Sequence, residues 1–228
     1  MKKWVLRLSI ALNILVVVLA LGAWFNRDVF IRAFLAELYA AKVNFFASFP
    51  LQSTDVVMLG DSITEAGEWS EIFPVVAIRN RGIPGDTTTG VLARLQAIID
   101  AQPAAVFLKI GTNDLTHGPE REVSYRQYRD IVTRLRKGSP ATDIYLQSVL
   151  PRQIEFREEV EEYNRHIEAI ADDLGATYID LYSEFQGNDG AIRGELTLDE
   201  VHLTGEGYRL WQSRLAPVMS DYQAPLNQ

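Results

Sequence analysis

Leu8–Phe25 is almost uninterruptedly apolar, with Ser9 and Asn13 as its polar positions, and Lys2, Lys3 and Arg7 precede it. A helix over this run is about 27 Å long, against about 30 Å for the hydrocarbon core of a bilayer. Residues 1–25 are therefore expected to form an N-terminal membrane anchor or signal segment. The basic cluster predicts a single-pass anchor with its N-terminus in the cytoplasm and the rest of the chain periplasmic or extracellular. The alternative is secretion after signal cleavage, since the unbroken run Ile14–Phe25 is short and Ala20-Leu21-Gly22 offers a cleavage site. From Asn26 to Phe49, Phe30, Phe34, Leu38, Ala41 and Phe45 recur at helical spacing, with Arg32, Glu37 and Lys42 elsewhere. This predicts a connecting amphipathic helix, 26–50. Packing against the body is the favoured reading and contact with a membrane surface the second. Pro50 ends the segment.

The pattern then changes, and 51–228 reads as one domain. Short β-rich runs (Asp55–Leu59, Val75–Asn80, Ala104–Ile110, Asp143–Leu150, Thr177–Asp180) alternate with helical patterns (Thr88–Asp100, Ser124–Lys137, Glu158–Leu174, Gly205–Tyr222). The strands are apolar throughout rather than alternating, as when both faces are covered. Repeated βα units give right-handed crossovers. The expectation is a three-layer α/β/α fold with about five parallel strands and an N-terminal hydrophobic helix.

Composition adds exclusions. There is no cysteine, so disulfides, thiolate zinc sites and iron–sulfur clusters are ruled out. Net charge is −8, the basic N-terminus leaves the body more acidic still, and no dense Lys/Arg run occurs in it. A phosphate backbone is repelled by such a body, so nucleic acid is not an expected partner.

In parallel α/β sheets ligands bind at the carboxyl ends of the strands. Four polar clusters fall there: Gly60-Asp61-Ser62-Ile63-Thr64, Arg81-Gly82-Ile83-Pro84-Gly85-Asp86, Gly111-Thr112-Asn113-Asp114 and Asp199-Glu200-Val201-His202. Ser62, after a strand and a glycine, can turn its hydroxyl into the rim cleft. Asp61 or Ser62 can equally serve as a helix N-cap. A serine hydroxyl needs a base. Of the three histidines, His166 sits in a helical pattern as a surface or packing residue, and His117 has no acidic neighbour close in sequence. His202 lies three residues after Asp199, a spacing that lets a carboxylate reach the imidazole in a tight turn. The Ser62 and Gly82 backbone N–H groups and the Asn113 amide can serve a developing oxyanion. Gly82 and Gly85 can also simply make the turn, and Asn113 can cap a loop. Trp69, Ile83, Leu115, His117, Arg152 and Phe156 can line an acyl pocket or be ordinary packing.

These four blocks, taken through Thr87-Thr88 and Leu203-Thr204, resemble in order and separation those of the SGNH (GDSL-type) hydrolase/esterase family, over about residues 54–220. Trp69, Phe73, the Gly-Asp-Thr-Thr run and Asp189-Gly190-Ala191 are most similar to its platelet-activating-factor acetylhydrolase-like branch, which favours short acyl groups. Ile63 stands where the name-giving motif has leucine. The resemblance implies a flavodoxin-like sheet with Ser62 as nucleophile and an Asp199–His202 pair. It further implies an oxyanion hole from Ser62, Gly82 and Asn113, with no cofactor and no metal. The expected function is a serine esterase acting on short-chain, acetyl-type esters through an acyl-enzyme. Substrates are a small acyl ester, an acetylated glycan or a lipid ester. Alternatives are acyl transfer or lysophospholipase-type lipid hydrolysis on the same triad, and a binding module that has lost catalysis. The residues specify no oligomer.

Overall fold

A computed structural model describes residues 2–223, without the side chains of a few positions in the first helix, among them Lys2, Leu19, Ala20, Ala23 and Arg32. No proline or turn signal interrupts the N-terminal segment, and one helix, α1 (Lys2–Ser48), covers it where two were expected. The chain divides into two units, residues 1–41 and 42–228. In the first, the described apolar side chains up to Phe34, among them Val5, Leu8 and Phe30, are exposed, and Leu35 and Leu38 are half-buried. Among the described residues no helix is long and apolar enough to cross a membrane, so the anchor expected over 1–25 is left without structural support. Three residues of the apolar run Leu8–Phe25, namely Leu19, Ala20 and Ala23, lie outside the described side chains.

The second unit is built on a parallel sheet. Its elements are β1 (Val56–Gly60), α2 (Ser62–Glu65), α3 (Trp69–Ile72), β2 (Ile78–Gly82), α4 (Thr88–Ala101), β3 (Ala105–Lys109) and α5 (Arg121–Gly138). They continue with β4 (Asp143–Gln147), α6 (Arg157–Leu174), β5 (Thr177–Ile179), α7 (Tyr182–Phe185) and α8 (Gly205–Met219). The strands lie in the order β2-β1-β3-β4-β5, all parallel, the flavodoxin-like arrangement. Side chains alternate between the faces of each strand. Val57, Leu59, Val106 and Leu108 pack one way against α4, α5 and α6. Val56, Met58 and Phe107 pack the other way with Trp69, Phe185, Trp211 and Leu215 of α3, α7 and α8. Both faces are covered, which is why these strands carry no polar alternation.

The second strand departs from its expected position, Val75–Asn80, and starts three residues later. Val76 instead makes an isolated antiparallel bridge to Gln223. The pairing Val56↔Ile78 to Gly60↔Gly82 places the strand at the sheet edge, where Arg79 and Arg81 are tolerated. The packing expected of Phe45 is made one position later: Phe45 is exposed, whereas the Phe46 ring lies 4.6 Å from the Arg81 guanidinium carbon.

Register fixes the rim. Gly60 pairs with Gly82 on one side and Lys109 on the other, so three strand ends stand level. Gly82 also lies under α2. A Cβ added there meets backbone atoms, Glu65 N at 2.3 Å and Asp61 O at 2.8 Å. Backbone cannot yield as a flexible side chain does, so Gly82→Ala should cost about 1–3 kcal/mol. Gly194→Ala, whose Cβ meets nothing within 4 Å, should stay within about 0.5 kcal/mol of the parent. Urea unfolding of the two variants checks this, and equal midpoints would contradict the packing.

Candidate active site

Asp61, not Ser62, caps α2: its Oδ1 accepts the Ile63 N–H at 3.0 Å. The serine hydroxyl is thereby released from capping. It lies 3.0 Å from His202 Nε2, bridging 140 positions of sequence.

His202 and Asp199 sit in a turn closed by its own hydrogen bonds. His202 O accepts from Leu198 N at 2.8 Å and Thr197 Oγ1 at 2.9 Å, and Thr197 bridges Leu203. Glu200 takes a left-handed backbone, φ 64°, unusual for a residue with a side chain. That conformation folds the chain tightly enough for Asp199 Oδ1 to accept the N–H groups of Val201 (3.1 Å) and His202 (2.7 Å). The other oxygen, Oδ2, meets His202 Nδ1 at 2.8 Å. An ionised carboxylate only accepts, so Nδ1 carries the proton and Nε2 is left to accept from the serine. Partial burial pushes the Asp199 carboxyl up, but the hydrogen bonds from the His202 backbone and ring and from Val201 outweigh it and hold its pKa below the ordinary value. Asp199 is exposed and His202 half-buried.

The three expected oxyanion donors differ in their commitments. Ser62 N belongs to the first turn of α2, where N–H groups have no intrahelical acceptor. Asn113 spends one amide hydrogen on Asp86 O at 2.9 Å, and an amide has two. The Gly82 N–H donates to Asn80 Oδ1 at 2.9 Å. The Asn80 amide is oriented by its other end, which donates to Glu65 O at 2.8 Å and Thr64 O at 3.1 Å. Gly82 therefore serves an oxyanion only by sharing or exchanging this bond.

The expected pocket residues separate. Trp69, Ile83 and Leu115 are buried and belong to the cores or the turns beneath the rim. Arg152 is buried too, donating to Thr112 O at 3.2 Å and Thr116 Oγ1 at 2.8 Å, with its guanidinium carbon 4.0 Å from the Phe156 ring centre. His117 is exposed in the turn after β3, and His166 stacks on Tyr125 with ring centres 3.8 Å apart.

Beneath the rim lies a set of buried charges to which residue patterns alone assigned no role. Lys109, fully buried, holds its Nζ 3.9 Å from Asp61 Oδ1 and 5.9 Å from the Trp211 ring centre. Burial pushes this lysine's pKa down, and the neighbouring Asp61 charge opposes the shift. Asp114 accepts from Thr88 N, Thr88 Oγ1 and Ser124 Oγ, tying α4 and α5 to the turn that carries Asn113. Burial raises its pKa against these bonds. Asp86 pairs with Arg94 at 2.7 Å, and burial pushes this carboxyl up to about 6, opposed by the Arg94 charge and hydrogen bonds. A signal for two of these did exist. Arg94 falls on the apolar stripe Val91, Leu95, Ile98 of its helix, and Lys109 interrupts a strand that is otherwise wholly apolar.

Comparison with known proteins agrees with this architecture. The family model described as GDSL-like Lipase/Acylhydrolase matches residues 58–210. The chain is similar to the platelet-activating factor acetylhydrolase IB subunit alpha2 of Rattus norvegicus, 29% identical over 164 residues, 68% of this chain and 71% of the relative. The alpha1 subunit of Bos taurus is likewise 29% identical, over 68% of this chain and 70% of its own length. A solved GDSL-like lipase of Bacteroides thetaiotaomicron superposes with a TM-score of 0.70 at 24% identity, covering 80% of this chain and 97% of that one. A catalytic mutant of an acetylxylan esterase of Geobacillus stearothermophilus superposes with a TM-score of 0.60 at 19% identity, over 74% and 95%. At these identities the two structures speak for the fold. The family match spans well over half the chain, and the chain belongs to the GDSL-like lipase/acylhydrolase family.

Proposed function

We propose that the protein is a serine esterase that hydrolyses short-chain acyl esters, acetyl esters foremost, through an acyl-enzyme. One observation carries this reading: the continuous line from Ser62 Oγ through the His202 ring to Asp199 Oδ2, with contacts of 3.0 and 2.8 Å. Ser62 attacks the acyl carbon as His202 Nε2 takes its proton. Asp199 holds the tautomer and stabilises the imidazolium. The oxyanion is met by the Ser62 N–H and the second Asn113 hydrogen, with the Gly82 N–H joining as it leaves Asn80. His202 then gives its proton to the departing alcohol. Water, deprotonated by the same imidazole, attacks the acyl-enzyme and frees the acid and Ser62. The acetyl preference rests on the names of relatives, acetylhydrolase subunits on one hand and acetylxylan esterases on the other. Both lipid esters and acetylated glycans therefore stay within the proposed substrate class.

The placement of residues 1–25 in a membrane, with the domain on the far side, is likewise our proposal. It rests on the basic cluster and the apolar run in the sequence. Carbonate extraction should leave the full chain in the membrane pellet, and release into the supernatant would count against the anchor.

Ser62→Ala should fold as the parent does and lose about 10⁴- to 10⁶-fold in hydrolysis of p-nitrophenyl acetate. Near-full activity in a folded variant defeats the assignment. His202 accepts the serine proton only when neutral, so kcat/KM should fall on acidification. A rate that stays flat as the pH is lowered to about 4 would contradict that role.

A further inference from the structure

We propose that Arg94 is a positioning residue for the oxyanion-stabilising groups, acting from the second row through Asp86 and the ends of two strands. This rests on the esterase reading above and deepens it. Arg94 projects from α4 into the space under the rim and is buried. Its guanidinium makes four hydrogen bonds, all to segments that carry or orient the proposed donors. Nη2 donates to Gly60 O at 3.2 Å, two residues before Ser62. Nη1 donates to Arg81 O at 2.8 Å, immediately before Gly82. Nε and Nη2 both donate to Asp86 Oδ2, at 3.0 and 2.7 Å. The backbone carbonyl of Asp86 in turn accepts one hydrogen of the Asn113 amide, which aims the other.

The geometry accounts for the choice of residue. A guanidinium is planar and forked, and it donates in several fixed directions at once. A lysine carries a similar charge but cannot hold two strand ends and a carboxylate in one plane. The buried Asp86 keeps the guanidinium in place, because leaving either charge alone in this interior is costly. Other charged groups near Arg94 are Arg81, whose pKa is lowered to about 10 by burial first and by Arg79 and Arg94 among its neighbours, and Asp61 on the side of Asp86. The Phe46 ring, centred 5.9 Å from the Arg94 guanidinium carbon, closes the cluster on its outer side.

A residue that acts through the oxyanion donors has a signature that a merely structural residue lacks. Its loss lowers kcat with little change in KM, and its effect shrinks once the donor it aims is gone. The test is a double-mutant cycle on p-nitrophenyl acetate hydrolysis by the full chain, using Arg94→Lys, Asn113→Ala and the two together. Asn113→Ala should lower kcat about 10²-fold or more, the loss typical of one oxyanion donor. Arg94→Lys should lower kcat about 10- to 100-fold with KM within about threefold. In the Asn113→Ala background the lysine substitution should cost less than about threefold. An equal cost in both backgrounds, a change confined to KM, or no change at all would overturn the role of Arg94 while leaving the esterase reading intact. Full activity of Asn113→Ala would instead strike that reading itself, and the inference with it. Should Arg94→Lys not fold, the paired variant Arg94→Gln with Asp86→Asn, which removes both charges together, enters the same cycle with the same expectation. If that pair also fails to fold, Arg94 is a folding residue and the inference falls.

Discussion

The lateral register of three parallel strands is the constraint on which the site depends. Gly60 stands opposite both Gly82 and Lys109. Because parallel ladders space their hydrogen bonds evenly, level strand ends give level loops. The serine, the glycine N–H and the asparagine amide therefore leave the sheet at one height although they are separated along the chain. The two glycines permit this closeness. At Gly60 a Cβ would stand 2.3 Å from Lys109 O, and at Gly82 as close to the Glu65 N–H. A slip of one residue in β2 would move Gly82 out of the row and bring Arg81 or Ile83 against α2.

Above that row the charged groups differ from those below it. Asp199 is exposed and His202 half-buried, in a loop bound chiefly to itself, whereas Asp61, Lys109, Asp86, Arg94 and Asp114 are buried. Solvent contact suits the role proposed for His202, which is to exchange protons and admit water. Burial suits groups whose task is to hold a geometry, since a buried charge is confined by the cost of leaving its partner. The left-handed backbone of Glu200 belongs to the first category: it gives Asp199 three hydrogen bonds within four residues of chain, without help from the core.

Legibility in the sequence followed the same division. The five strands and four long helices could be read because an apolar run flanked by turn signals has few other physical meanings, and the parallel order followed from the βα alternation. The second strand was misplaced because Val75 and Val76 have stronger β character than Arg79 or Arg81; edge pairing, which tolerates arginines, overrode that preference. The phase of the helix before Pro50 was read one residue early because Phe45 and Phe46 are equally apolar, and only the position of Arg81 decides which ring is covered. Ser62, Asp199 and His202 are weak candidates singly by residue type and spacing, and the ordered resemblance of four blocks to the family singles them out. The engagement of the Gly82 N–H by Asn80 did not, since it depends on the orientation of one side-chain amide that α2 carbonyls hold from the other end.

The buried charges remain the least economical feature of the fold in terms of stability. Apolar residues of similar volume in place of buried ion pairs are often neutral or stabilising. Arg94 stands on the same helical stripe as Val91, Leu95 and Ile98, where a leucine would pack. A leucine, however, offers no directional bond to Gly60 O or Arg81 O, and it leaves the buried Asp86 carboxylate without its cation. Gly60 O would keep the Ile83 N–H at 3.0 Å, but removing one partner of a buried ion pair costs about 3–5 kcal/mol. The guanidinium serves both carbonyls and the carboxylate together. One forked cation held by Asp86 thus ties the ends of β1 and β2 to the loop whose carbonyl receives the Asn113 amide, which a leucine at this position could not do.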